Sequence, residues 1–228
     1  MRNPSIKAVL WDLDDTLYSR VNAARQVFPG MFRTHLYENR NDAFIEEAVA
    51  FMMTKIHRNS MVHEDAFQAL LEKYPSDKPY NRTDCLNYYY EHICDFARPN
   101  EDCMEVVKKL RAEGIKTAIV TNITADRLDS QRHKVSSMNL APFFDAIVYS
   151  GELGIHKPDK GIFDHAAKLL GVTNEECLFV GDDPTSDVAG AFNAGMEVVW
   201  IDHWRTDDTF ADHSRVHRVT SVKEYFDK

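Results

Sequence analysis

Short apolar runs suited to buried strands occur at five places along the chain. They cover residues 6–11, 115–120, 145–149, 177–180 and 197–201. Each run is nearly continuous in apolar character and is too short for a typical helix, which is the pattern of strands covered on both faces of a parallel sheet. The pattern therefore predicts a sheet of at least these five strands.

Helical spacing of apolar residues separates the later runs. In GIFDHAAKLLG, for example, Phe163, Ala167 and Leu170 share one face and Gly171 provides a stop signal. Strands that alternate with helices predict right-handed βαβ units. We therefore expect an α/β fold in which helices flank a parallel sheet.

The stretch from about residue 20 to residue 95 has a different pattern. Apolar positions recur at helical spacing within residues 45–56, 67–74 and 86–93, and the proline-containing segment KYPSDKPYN separates the last two. Nothing in this stretch is typical of a core strand. We expect an inserted helical module over residues 18–95, with residues 1–17 and 96–228 forming the α/β core.

Composition and net charge restrict the kinds of molecule that the protein is expected to bind. The 228 residues carry a formal net charge of −9, which argues against nucleic acid as a partner because phosphate backbones bind basic surfaces. The four cysteines have no zinc-type spacing, and no stretch reaches the ~20 apolar residues of a membrane span. We expect a cytoplasmic protein with a small-molecule partner and no membrane association, and its oligomeric state is left open.

Polar and charged residues follow four of the five predicted strands, and these are the candidate site. Because ligands bind at the carboxyl ends of the strands in open α/β sheets, these residues should converge at one edge. In chain order they are Asp12, Asp14, Asp15 and Thr16, then Thr121 and Asn122, then Lys157, and then Asp182, Asp183 and Asp187.

The residue types in this group complement one another chemically. Clustered carboxylates call for a cation, and an all-oxygen ligand set favours a hard ion such as Mg²⁺. Lys157 and the short side chains of Thr121 and Asn122 suit the non-bridging oxygens of a phosphoryl group. Two carboxylates spaced two apart at a strand end can face the same way, so that one attacks while the other handles the proton.

Each of these segments also has a simpler interpretation. An Asp-x-Asp after a strand is often a turn or a helix cap, and Lys157 could be an ordinary loop lysine. The Thr121–Asn122 and Asp182–Asp183 pairs could cap the helices that follow them. Independent caps would not be expected to produce all four segments in this order, and the joint pattern favours an active site. Asp15 is the exception, because we expect it to serve the turn.

The four segments together resemble the haloacid dehalogenase (HAD) superfamily of phosphohydrolases. The resemblance covers residues 6 to 202 and consists of DLDDT at 12–16, Thr121, Lys157 in HKPD, and the GDDxxxD pattern at 181–187. It implies a Rossmann-like core, and the helical insertion is similar to the family's C1-type cap.

The resemblance also implies a role for each residue. Asp12 would be the nucleophile that carries an aspartyl-phosphate, and Asp14 the general acid and base. Mg²⁺ would be held by Asp12, the backbone carbonyl of Asp14, and Asp182, with Asp183 and Asp187 in support. Phosphate would be bound by Thr121, Asn122 and Lys157.

The implied activity is Mg²⁺-dependent hydrolysis of a small phosphorylated metabolite. WDLDDTLYS and GDDPTSDVAGAFNAGM are similar to stretches of bacterial phosphatases of nucleoside monophosphates and flavin mononucleotide. Two alternatives remain: a 2-haloacid dehalogenase that uses the same Asp12, and a non-catalytic, receiver-like phospho-acceptor. The cap residues that select the substrate cannot be identified from the pattern.

Overall fold

The computed structural model describes residues 3–56, 64–203, 210 and 213–227. The chain divides into two compact units. One, here called the α/β unit, consists of Met1–Ser19 and Arg98–Lys228, and the other, the helical unit, consists of Arg20–Ala97. None of the described helices combines the length and the apolar content that a membrane crossing requires.

The helical unit is built from amphipathic helices around an aromatic core. Its helices are α1 (Arg20–His35), α2 (Asp42–Lys55), α3 (Glu64–Lys73) and α4 (Arg82–Phe96). Helices α2 and α4 begin at asparagines, Asn41 and Asn81, whose side chains accept a backbone N–H of the first turn. Tyr89 is buried and packs against Phe28 in the core of this unit.

The α/β unit contains one parallel sheet of six strands in the order β3-β2-β1-β4-β5-β6. This confirms the predicted α/β class. The strands are β1 (Ala8–Trp11), β2 (Lys116–Thr121), β3 (Ala146–Tyr149), β4 (Cys177–Gly181), β5 (Glu197–Ile201) and β6 (Val216–Val219).

The first strand of the chain lies in the middle of this sheet. All four residues of β1 are fully buried, as the uninterrupted apolar run predicts. Trp11 is opposite Ile119 in β2 and opposite Val180 in β4, so these three strands end at nearly the same level. The residues that follow them are therefore brought to one edge of the sheet.

Helices cover the sheet and bury its side chains. In this unit they are α5 (Glu101–Ala112), α6 (Leu128–Ser137), α7 (Ser150–Leu153), α8 (Lys160–Leu170), α9 (Ala189–Ala194) and α10 (Lys223–Phe226). Helix α8 begins after Asp159, whose side chain accepts the Gly161 N–H, and ends at Gly171 with a φ of 67°. Its Phe163 packs edge-on against Phe179 of β4 in the main core.

Strand β6 is a difference from the sequence prediction. Its sequence, VHRV, has only two apolar residues, and His217 and Arg218 between them are partly exposed. Since these two side chains are only partly covered, β6 does not need the continuous apolar run by which the other five strands were recognised; β3, at the opposite edge, does have such a run.

Candidate active site

The turn after β1 carries four candidate residues, among them Asp12 and Asp15. Asp12 continues the sheet through a hydrogen bond from its N–H to the Val180 carbonyl at 2.9 Å. Asp15, with a φ of 62°, lies in the left-handed region that tight turns use, which agrees with the expectation that it serves the turn. Its carbonyl is 2.9 Å from Nε2 of His203, a residue that follows β5.

Lys157 lies between two of the candidate aspartates. Its Nζ is 2.5 Å from Oδ1 of Asp12 and 2.7 Å from Oδ1 of Asp187. The Lys157 side chain is only 2% exposed. Burial alone would lower the pKa of Lys157, but the negative charges of Asp12 and Asp187 outweigh it and raise the pKa above its ordinary value. Lys157 is thus held as a cation.

The segment after β4 supplies three aspartates in different environments. Asp187 lies in the π-helical turn Pro184–Val188, and its Oδ2 accepts the N–H groups of Asp182 and Asp183, each at 3.2 Å. Asp183 caps the same turn by accepting the N–H groups of Thr185 and Ser186. Burial alone would raise the pKa of Asp183, but a hydrogen bond from the Thr185 hydroxyl together with these N–H groups holds it below its usual value.

Asp182 belongs to a group of carboxylates that could hold a metal ion. Within the described residues, Asp12, Asp182 and Asp187 each offer an oxygen, and these oxygens all lie within 4.8 Å of one another. Lys157 neutralises only part of this charge. Burial raises the pKa of Asp12 to about 8; Lys157 opposes this shift, and the charges of Asp187 and Asp14 add to it. A buried oxygen cluster with excess negative charge fits a hard divalent cation such as Mg²⁺.

Thr121 and Asn122, at the end of β2, are positioned differently from each other. Thr121 is fully buried, and its Oγ1 accepts a hydrogen bond from Gln131 at 2.7 Å. The Asn122 side chain is engaged by the backbone of Lys157: Oδ1 accepts the Lys157 N–H and Nδ2 donates to the Lys157 carbonyl, both at 2.9 Å. Asn122 therefore fixes the loop that carries Lys157, whereas the residue pattern suggested that its side chain would face a phosphoryl oxygen.

Three residues around Asp14 were not identified from the sequence. Tyr18 and Lys134 both donate to Oδ1 of Asp14, and Gln131 donates to Oδ2. Gln131 and Lys134 are buried residues of α6. Their helix, LDSQRHKVSS, has only two apolar residues, Leu128 and Val135, which is too few to show from the pattern that Gln131 and Lys134 are buried.

Comparison with known proteins identifies the family. The profile of the haloacid dehalogenase-like hydrolases matches residues 6–195, which include every candidate site residue. The chain belongs to this family. The resemblance to the HAD superfamily, found from the four sequence segments, is confirmed. The prediction that the protein is a hydrolase of the phosphatase type is confirmed as well.

Two curated relatives illustrate the similarity. The glyceraldehyde 3-phosphate phosphatase of Methanopyrus kandleri is 32% identical over 212 residues, which are 89% of this chain and 87% of the relative. The N-acylneuraminate-9-phosphatase of Rattus norvegicus is 29% identical, over 86% of this chain and 82% of the relative.

The fold is shared with solved structures of HAD hydrolases. The HAD-hydrolase YfnB of Bacillus subtilis, in a crystal structure with bound magnesium, matches with a TM-score of 0.76 and 19% identity, over 97% of each chain. At this identity the similarity concerns the fold, which is the Rossmann-like arrangement predicted.

Proposed function

We propose that this protein is a Mg²⁺-dependent phosphatase that hydrolyses a small phosphorylated metabolite through an aspartyl-phosphate on Asp12. The observation that supports this most directly is the buried cluster of Asp12, Asp182 and Asp187, of which Asp12 and Asp187 pair with the ammonium group of Lys157. Such a cluster combines a candidate nucleophile, a metal-binding oxygen set and a cation for phosphoryl oxygens in one place.

In the proposed reaction, the Asp12 carboxylate attacks phosphorus and the ester oxygen departs. Asp14 donates its proton to that oxygen, and later takes a proton from the water that hydrolyses the aspartyl-phosphate. Lys157, together with the Thr121 hydroxyl, holds the non-bridging oxygens. Asp12, the Asp14 carbonyl and Asp182 would hold Mg²⁺, whose positive charge would stabilise the charge that develops on the phosphoryl group.

The substrate is proposed from the relatives. Their names describe phosphatases of glyceraldehyde 3-phosphate and N-acylneuraminate 9-phosphate, which are small phosphorylated metabolites. The narrower resemblance to nucleotide and flavin mononucleotide phosphatases stays a prediction. We further propose that the helical unit, Arg20–Ala97, is the C1-type cap, because it interrupts the chain between β1 and the other strands.

A panel of phosphate monoesters tests the activity. We expect the purified chain to release phosphate from at least one member of a panel containing triose and sugar phosphates, nucleoside monophosphates and flavin mononucleotide. Chelation of divalent metal should abolish turnover. Phosphate release that survives complete removal of metal would contradict the Mg²⁺-dependent mechanism, and release of halide from 2-haloacids would favour the dehalogenase alternative. Phosphate trapped on Asp12 without turnover would favour the receiver-like one.

A pair of matched substitutions tests the assignment of the nucleophile. Asp12→Asn should abolish turnover with the fold intact, because the amide cannot attack phosphorus. Asp15→Asn should retain most of the activity, since asparagine tolerates the left-handed backbone of this turn. Circular dichroism checks the fold of both variants. A comparable loss in the two would show that the nucleophile has been misassigned.

A further inference from the structure

The carboxylate of Asp14 is held by side chains to which the mechanism above gives no part. Lys134 Nζ is 2.9 Å from Asp14 Oδ1, and Gln131 Nε2 is 2.7 Å from Asp14 Oδ2. Gln131 and Lys134 are 1% and 4% exposed. Burying a lysine and an amide is unfavourable unless their hydrogen bonds are made, so these contacts strongly constrain the local arrangement.

The orientation of the Gln131 amide follows from its neighbours. Lys134 Nζ is 2.8 Å from Oε1 of Gln131. Because an ammonium group can only donate, the Gln131 oxygen must face Lys134 and the NH₂ group must face the other way. That NH₂ group has two hydrogens, and the structure gives it two acceptors: Asp14 Oδ2 and Thr121 Oγ1, each at 2.7 Å.

This arrangement also determines what Thr121 can do. Since the Thr121 oxygen accepts from Gln131, its own hydroxyl hydrogen is directed to a different acceptor. A non-bridging phosphoryl oxygen is an acceptor of that kind. One glutamine therefore contacts both the proposed proton-transfer residue and a proposed phosphate-binding residue.

We propose that Gln131 and Lys134 are positioning residues of the active site, and this rests on the proposed function. They fix both oxygens of Asp14 for proton transfer to the leaving oxygen, and Gln131 orients Thr121 as a donor. Neither residue gains or loses a proton in the reaction: the proton moves from Asp14 to the ester oxygen as the P–O bond breaks. Orientation of this kind matters because small displacements of a catalytic group reduce rates strongly.

Dependence on the leaving group tests the proposal. Lys134→Met and Gln131→Leu are compared with wild type on two esters: p-nitrophenyl phosphate, whose leaving group departs without a proton, and the best alkyl ester from the panel. General acid catalysis typically contributes about 10²–10⁴-fold, so we expect kcat/KM to fall about 10- to 100-fold for the alkyl ester and much less for the aryl ester. Gln131→Leu should in addition raise KM for both esters, because Thr121 loses its orientation.

Arg132→Met is the matched control, because it removes one positive charge from the same helix at an exposed position paired with Glu152. It should leave the ratio of the two kcat/KM values unchanged, and Lys134→Arg should restore part of that ratio. The ratio does not depend on the folded fraction, since both esters are measured on one preparation. Equal losses on the two esters, or no loss, would overturn the positioning role. A wild-type protein that hydrolyses neither ester would instead overturn the proposed function.

Discussion

At the scale of single residues, the charged form of the buried Asp12 is unfavourable in the protein without a metal ion. Burial raises its pKa to about 8, with Lys157 opposing and the charges of Asp187 and Asp14 adding to the shift. The unfolded chain loses this proton near pH 4. Between these two values the metal-free protein takes up a proton on folding, so its stability falls as the pH rises from about 4 to about 8 and levels off above.

Removing this carboxylate should therefore stabilise the metal-free protein, most of all at higher pH. In the presence of a chelator, we expect Asp12→Asn to melt above wild type, with a gap several degrees larger at pH 8 than at pH 5, by differential scanning fluorimetry. Asp15→Asn serves as the control for loss of a neighbouring carboxylate. Added Mg²⁺ should raise the melting temperature of wild type more than that of Asp12→Asn. If the difference in melting temperature between Asp12→Asn and wild type did not change with pH, the Asp12 carboxylate would not be destabilising the metal-free protein as argued.

The structure brings together some of the residues that the sequence predicted for the site and adds others. Asp12, Lys157, Asp182 and Asp187 could be grouped from the sequence because each comes after a strand whose apolar run marks where it ends. Gln131, which lies within a mostly polar helix, gave no such signal.

The hydrogen-bond partner of the Asn122 side chain could not be predicted from the sequence pattern either. Its side chain bonds the backbone around Lys157, a contact that depends on where a distant loop folds. Residue type and strand position thus predicted which segments meet, and left open which atoms they use.

At the scale of secondary-structure elements, the end of β4 has no room for a side chain. A Cβ atom at Gly181 would lie 2.5 Å from Oδ2 and 2.7 Å from Cγ of Asp187. The close approach lets Asp187 reach the backbone N–H groups of Asp182 and Asp183 while its other oxygen pairs with Lys157. The glycine of the GDDxxxD pattern is therefore required by the packing of the strand against the turn that follows it.

Gly181→Ala should displace Asp187 and damage the site more than the fold. We expect kcat/KM to fall about 100-fold, because misplacement by about 1 Å has effects of that size, and stability to fall by about 1–3 kcal/mol from overpacking. Steady-state kinetics and urea unfolding measure the two effects.

Gly171→Ala is the control for loss of a glycine. Its φ is 67° at the end of α8, and the nearest atom to an added Cβ would be Lys116 Nζ at 3.8 Å. It should cost about 1 kcal/mol of stability and leave activity unchanged. An active Gly181→Ala variant would contradict the close-packing argument.

The secondary-structure elements also show why the sequence predicted five of the six strands and did not predict β6. Five strands have apolar runs that the sheet buries, and their positions follow the sequence prediction within about two residues, the usual uncertainty of such boundaries. Strand β6 has two polar residues among its four. Strand β3 lies at the opposite edge of the sheet and was found because its sequence, AIVY, is apolar, so the signal depends on the apolar run and not on the position in the sheet.

At the scale of the whole molecule, the candidate site belongs to one of the two units. Every predicted ligand and phosphate-binding residue lies in the α/β unit, between Asp12 and Asp187. A metal ion that binds only the folded state stabilises the structure that holds it, so Mg²⁺ should act on this unit first.

The reactivity of the four cysteines can be used to follow the opening of each unit separately. Cys85 and Cys94 are buried in the helical unit, and Cys103 and Cys177 are buried in the α/β unit. Burial raises the pKa of Cys85 to about 11 and that of Cys103 and Cys177 to about 12, so each should react slowly with iodoacetamide in the native protein.

In moderate urea, Mg²⁺ should slow alkylation of Cys103 and Cys177 more than that of Cys85 and Cys94. Mass spectrometry of the labelled peptides measures the rate at each position, and the same experiment with a chelator is the control. Equal protection of all four cysteines would mean that the two units open together, and no protection would argue against a metal site in the α/β unit.

The central position of β1 has a consequence for the order in which the protein is assembled during translation. Ala8 emerges from the ribosome well before its register partners, Lys116 and Cys177. Closing such long loops is entropically costly and slow compared with forming local helices. The nascent chain therefore carries an apolar, unpaired strand until β2 has been made, and the segment with the proposed nucleophile cannot acquire all its catalytic neighbours until β4 has been made.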